Sequence, residues 1–190
     1  MPVTINGTSG LVTATSYAGS GGNLTGITTG KILQVQSSIK TDTASFELSA
    51  GYFSSSSQTG IQVSITPSSS SNKILLFGMI NVDVAGEQYN IGVVFDKAGS
   101  IISGATGDAS GSRKRLTATG DGSRTSQYSE TINVHYLDTA GGTSAITYGL
   151  VVNNPSSISR ICYINRSTND ADDVYHKRVA SSITAMEVAV

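Results

Sequence analysis

From residue 31 to residue 190 this chain shows almost no helical periodicity, and that restricts it to β-structure. Gly60-Ile61-Gln62-Val63-Ser64-Ile65-Thr66 alternates apolar and polar residues, which is the period of a strand with one buried face. Pro67 and the serines Ser68 to Ser71 then close it with a loop. The last eleven residues, Ala180-Ser181-Ser182-Ile183-Thr184-Ala185-Met186-Glu187-Val188-Ala189-Val190, alternate almost to the end. They predict a final strand built into a sheet. Residues 32–36, 131–138, 145–152 and 160–165 carry similar short apolar patterns. The most apolar run, 73–84, predicts a long central strand with Gly78 as a bulge or bend. Residues 89–96 are expected to pair with it across a turn around Gly86. The expected core comprises Leu75, Phe77, Val93, Phe95, Val134, Ile146 and Ile183.

About eight short strands with turn signals between them predict an all-β fold, an antiparallel β-sandwich (jelly-roll-like). Composition agrees. Charged residues make up 13% of the chain, about half the usual share. Serine and threonine fill roughly a quarter of it, with 21 Gly and no Trp, as expected of short strands and polar turns. A length of 190 residues suits one domain plus an arm.

The expected arm is residues 1–29, preceding a sandwich domain over 30–190. Its apolar positions are Ile5, Leu11, Val12, Tyr17, Leu24 and Ile27, too few and wrongly spaced to fold alone. Its glycines, such as Gly19, Gly21 and Gly22, raise the entropy cost of ordering it. Such an extended glycine-rich N-terminal arm becomes ordered only against a partner or against copies of itself.

The motifs Ile5-Asn6-Gly7-Thr8-Ser9-Gly10-Leu11-Val12 and Asn23-Leu24-Thr25-Gly26-Ile27 resemble the N-terminal repeat of bacteriophage tail-fibre and other virion fibre proteins. Three further segments look like a domain common in virion proteins of marine and cyanobacterial phages. They are Gly30-Lys31-Ile32-Leu33-Gln34-Val35, residues 65–75, and Ser181-Ser182-Ile183-Thr184-Ala185-Met186-Glu187. This match covers about half of the chain. The resemblance implies a virion structural protein assembled in the host cytoplasm, with no catalytic motif. It also implies a homotrimer, because related fibre domains are trimeric. The arm would anchor the fibre to other virion proteins of tail or capsid, and the β domain would face outward toward the host surface. A capsid decoration or head protein without receptor role is the alternative, and a carbohydrate-binding module is another.

No catalytic, metal or cofactor site is expected. His135 falls mid-strand. His176 follows Asp172 and Asp173 in an acidic turn that lacks the glycine and terminal glutamate of a calcium loop. The Gly19-Ser20-Gly21-Gly22 stretch is not followed by Gly-Lys-Ser/Thr, so it is no phosphate loop. A polysaccharide depolymerase would need a clustered carboxylate pair. Net charge is −1, which offers nothing to nucleic acid. No apolar run approaches the ~20 residues of a membrane span, so no membrane insertion is expected. No signal peptide is expected either, since Met-Pro-Val-Thr-Ile-Asn has neither a basic nor an apolar region. Cys162, the single cysteine, sits in an apolar run and reads as a buried small hydrophobe. Most of the tyrosines fall on strand patterns and are expected in the core.

The one basic cluster is Arg113, Lys114 and Arg115 with Arg124, in a glycine-rich stretch over 103–127 with a short strand near Leu116. Solvated loop charge is the plain reading. Contact with host cell-surface polysaccharide, or with an acidic neighbour in the virion, is the functional one.

Overall fold

The alternating segments and the continuous apolar segments both become strands. The computed structural model describes residues 31–85, 90–121, 128–154 and 156–190. The expected arm and its six apolar residues lie outside the described residues. The strands are β1 (Ile32–Lys40), β2 (Ala44–Leu48), β3 (Gln62–Ile65), β4 (Lys73–Val84), β5 (Asn90–Lys97), β6 (Ser100–Ile101), β7 (Ala118–Asp121), β8 (Glu130–Thr139), β9 (Ile146–Asn153), β10 (Arg160–Ile164) and β11 (Ser181–Val188). One helical turn, α1 (Ser56–Thr59), is closed at its N-terminus by the Ser55 and Gln58 capping box and at its C-terminus by left-handed Gly60.

The described strands form a six-stranded and a five-stranded sheet, both antiparallel, packed as a sandwich. β4 organises the first. It is long enough to hold β11 along Lys73–Met79 and β10 along Val82–Val84 of the same edge. β8 occupies its other edge from Lys73 to Val82. β1 extends the sheet beyond β11, and β2 extends it beyond β10. In the second sheet β3, β9 and β5 lie side by side, and β7 and β6 share the far edge of β5.

The core lies between the sheets. β11 shows a strict alternation in which Ile183 and Ala185 face inward, meeting Ile74, Leu76 and Ile80 of β4 and Phe95 and Leu150 of the facing sheet within one apolar cluster. Cys162 is fully buried there, as expected. Burial and then the nearby Asp83 charge push its thiol up to about 12.

Several sequence expectations need correction. The segment after Gly86 does not pair with β4, because both edges of β4 are already occupied. β5 crosses to the other sheet and pairs with β9. Gly78 is not a bulge, since the ladders to Ile183 and Val134 run through it in register. A Cβ there would lie 2.8 Å from Leu150 Cδ2 and 3.0 Å from Val134 Cγ2. The glycine therefore makes room for the opposite sheet. Gly78→Ala is expected to cost about 1–3 kcal/mol through overpacking, read as a lower urea midpoint with an unchanged slope; an unchanged midpoint would contradict this packing.

Because Gly78 faces inward, its neighbour Phe77 faces outward and is 46% exposed, not core. Leu75 and Ile146 are only partly buried, whereas Val93, Phe95, Val134 and Ile183 are buried as expected. Among the tyrosines, Tyr148 is fully buried, but Tyr52, Tyr128 and Tyr175 are exposed.

Among the described residues three carboxylates are buried, Asp83, Asp96 and Glu187. Glu187 of β11 is fully buried. Its Oε1 accepts from Ser68 N and Ser68 Oγ at 2.7 Å each and from Asn72 Nδ2 at 2.6 Å. Its Oε2 accepts from Gln34 Nε2 at 2.6 Å. The serine-rich loop after β3 is thereby tied to β1 and β11.

Candidate interaction surfaces

The basic cluster sits on the connection from β6 to β7, which begins with a tight turn at Ser103–Ala105. Arg113, Lys114 and Arg115 are all exposed, as expected, while Arg124 lies outside the described residues. The three are not equivalent. Arg115 Nε donates to Gly107 O at 2.6 Å and its Nη2 to Ser103 O at 3.3 Å, bracing the loop that carries it. Arg113 Nη1 donates to Ser110 Oγ at 2.9 Å. Arg113→Ser and Lys114→Ser should each shift stability by less than about 0.5 kcal/mol. Arg115→Ser should instead speed amide exchange over residues 103–116, and equal exchange in all three variants would deny it that bracing role.

The outward face of the six-stranded sheet divides into two halves. Toward the C-terminal end of β4 the outward residues are Asn81 and Asp83, both buried under the chain's own loop after β10. There Thr168 donates to Asp83 Oδ2 through N at 2.6 Å and through Oγ1 at 2.7 Å. Arg166 stacks 4.3 Å above the Tyr163 ring. Asp170 takes ion pairs from Arg178 at 2.7 Å and Arg166 at 3.4 Å. In the same loop His176 Nδ1 lies 2.7 Å from Asp173 Oδ1, which holds the Asp173 carboxyl below its usual range. Among the described residues no group of three or more His, Cys, Asp or Glu side chains is placed to hold a metal.

Toward the N-terminal end the outward residues of β4 are Leu75, Phe77 and Met79, and among the described residues no loop lies over them. Strand register places Val35, Met186, Leu75 and Leu137 in one row across four strands. Val35 is 50% and Leu137 51% exposed. Of this face, sequence reasoning took Leu75 and Phe77 for core. The available signal was the unbroken apolar run around Leu75, Leu76 and Phe77, the pattern of a strand covered on both faces.

A third surface is a polar-walled cavity of about 510 Å³ on the outer face of the five-stranded sheet. Ser54, Ser56, Gln62, Asp96 and Thr147 line it. Asp96 is raised above the usual carboxylate range by burial, against hydrogen bonds from Ser56 Oγ and Gly99 N at 3.1 Å each and a weaker pull from the Gly149 backbone. α1 packs tightly over this wall, since a Cβ on Gly149 would stand 2.2 Å from Ser56 Cβ.

No protein-family model matches the chain, and no curated protein does. Among solved structures that match is one titled "Crystal structure of infectious bursal disease virus VP2 subviral particle". It is 10% identical over 82% of this chain, with a TM-score of 0.34, and the chain spans 41% of that one. The fold described above stands on the strand registers of this chain, not on that likeness.

Proposed function

We propose that this chain is a structural protein of a bacteriophage virion, a trimeric fibre or fibre-like appendage. Residues 1–29 anchor it to tail or capsid proteins. The β-sandwich faces outward and contacts the host surface. The observation that carries this reading is the N-terminal sequence over residues 5–27, which resembles the tail-fibre repeat and runs directly into the sandwich. An arm with only Ile5, Leu11, Val12, Tyr17, Leu24 and Ile27 as apolar residues needs external contacts to offset its ordering entropy, and a threefold bundle of arms supplies them.

The test is a phage carrying the gene with codons for residues 1–29 removed. The truncated chain should fold, with a cooperative melt, and be missing from purified particles. Normal incorporation would end the attachment role. Host contact has its own readout. If Arg113 and Lys114 meet anionic polysaccharide, adsorption weakens as salt rises, because exposed charges are screened over ~10 Å at 0.1 M. Replacing both with serine should then reduce adsorption while particles keep their full complement of the protein. Unchanged adsorption by such particles would leave these residues as solvated charge.

A further inference from the structure

We infer that the uncovered half of the outward face of the six-stranded sheet is the surface on which copies of this chain pack together. The evidence is an inversion along a single strand. Where the chain covers its own β4, the outward residues are polar, Asn81 and Asp83. Where no described residue covers β4, they are apolar, Leu75, Phe77 and Met79. A monomer in water would place them the other way round, since an antiparallel sheet with one solvated face shows polar residues on that face.

The chemistry of the face selects the occupant. Along β1, β11, β4 and β8 its outward side chains include no carboxylate, and its only titratable groups are Lys73 and His135. Lys73 Nζ already donates to Thr139 Oγ1 at 2.7 Å. A second identical face brings no carboxylate and sets apolar side chains such as Leu75 and Leu137 against apolar side chains.

Size and position point the same way. Four strands about 4.8 Å apart, and β4 from Lys73 to Met79 at about 3.3 Å per residue, give a footprint on the order of 440 Å². This footprint carries the apolar row of Val35, Met186, Leu75 and Leu137 and, beside it, the mixed row of Ser37, Thr184, Phe77 and His135. It is about half of the ~800 Å² per partner in a stable interface, so the face needs a second contribution. β1 supplies the place for one. Ile32 pairs with Val188 at the border of this face, and the described chain begins there, next to the point where residues 1–30 are attached. The proposal rests on the oligomeric reading above for the number of copies, but not for the face itself.

Sedimentation of the full-length chain at micromolar concentration tests it. The wild type should sediment as an oligomer. Leu137→Lys should sediment as a monomer, with wild-type circular dichroism and a cooperative melt. Val35→Lys, on an edge strand and half exposed, should do the same and decides the matter if Leu137→Lys does not fold. Ile101→Lys, an exposed apolar position on the other sheet, should leave the oligomer intact. A wild-type trimer that both lysine variants leave whole would overturn the face and spare the trimer. A wild-type dimer dispersed by them would overturn the trimer and spare the face. A monomeric wild type would overturn both.

Discussion

Phe95→Ala is expected to cost about 3–5 kcal/mol, the usual range for emptying a phenylalanine site that cannot collapse. Phe95 is fully buried, lies opposite Leu150 in the β5–β9 ladder, and belongs to the apolar cluster that joins the two sheets. For a domain of this size the melting temperature should fall by on the order of 10 °C. Phe77→Ala, measured where a single copy is present, should cost only about 1 kcal/mol, because half of that ring is already in water. The pair tests the phase of β4 directly. Equal losses at the two sites would mean that Phe77 faces inward and that Gly78 does not.

Glu187 should make the domain acid-labile. Burial by itself would raise its carboxyl. Hydrogen bonds from Gln34, Asn72 and the side chain and backbone of Ser68 outweigh that and hold it at about 2. In the unfolded chain it returns to about 4.3. Between these values the unfolded state binds the proton more tightly, so the stability Glu187 contributes is complete above about pH 4.5 and is lost as pH falls toward 2. Asp42, held low by its hydrogen bond from Lys40, and Asp173 tilt the curve the same way. The diagnostic quantity is therefore the difference between wild type and Glu187→Gln. At pH 7 the variant should be less stable by on the order of 3 kcal/mol, since the amide offers donors to groups that are themselves donors. Between pH 4.5 and 2 the gap should close. A gap that stays constant through that window would mean that the clasp does not depend on the charge of Glu187.

Residues 60–66 and 180–190 show what is legible in a sequence. Each becomes a strand of period two; Ile61, Val63 and Ile65 are all buried in the first, and Ile183 and Ala185 face inward in the second, whose inward set also takes in Ser181 and Glu187. The turns after Ile65 and before Ile146 were legible for the same local reason, as were the burial of Cys162 and the exposure of Arg113, Lys114 and Arg115. β2, from Ala44 to Leu48, was not. Ala44, Phe46 and Leu48 do alternate with Ser45 and Glu47, but five residues make a short signal, and β10 supplies the edge that pairs it. α1 was missed because one capped turn leaves no periodicity to read.

The sequence by itself determined the fold class, most strand positions and the presence of a glycine-rich segment that cannot bury a core of its own. It left partners and phase open. Any alternating strand can pair with any other, and only the packed sandwich sent β5 away from β4. A continuously apolar strand such as β4 has no phase of its own. The close approach of Leu150 and Val134 to Gly78 turned Phe77 outward. Glu187 reads as a surface charge until the donors of Gln34, Ser68 and Asn72, from 115 to 153 residues away in the chain, converge on it. Local pattern fixes what a segment can be. Burial, charge satisfaction and exposure depend on groups brought together from distant positions, so only the tertiary structure decides them.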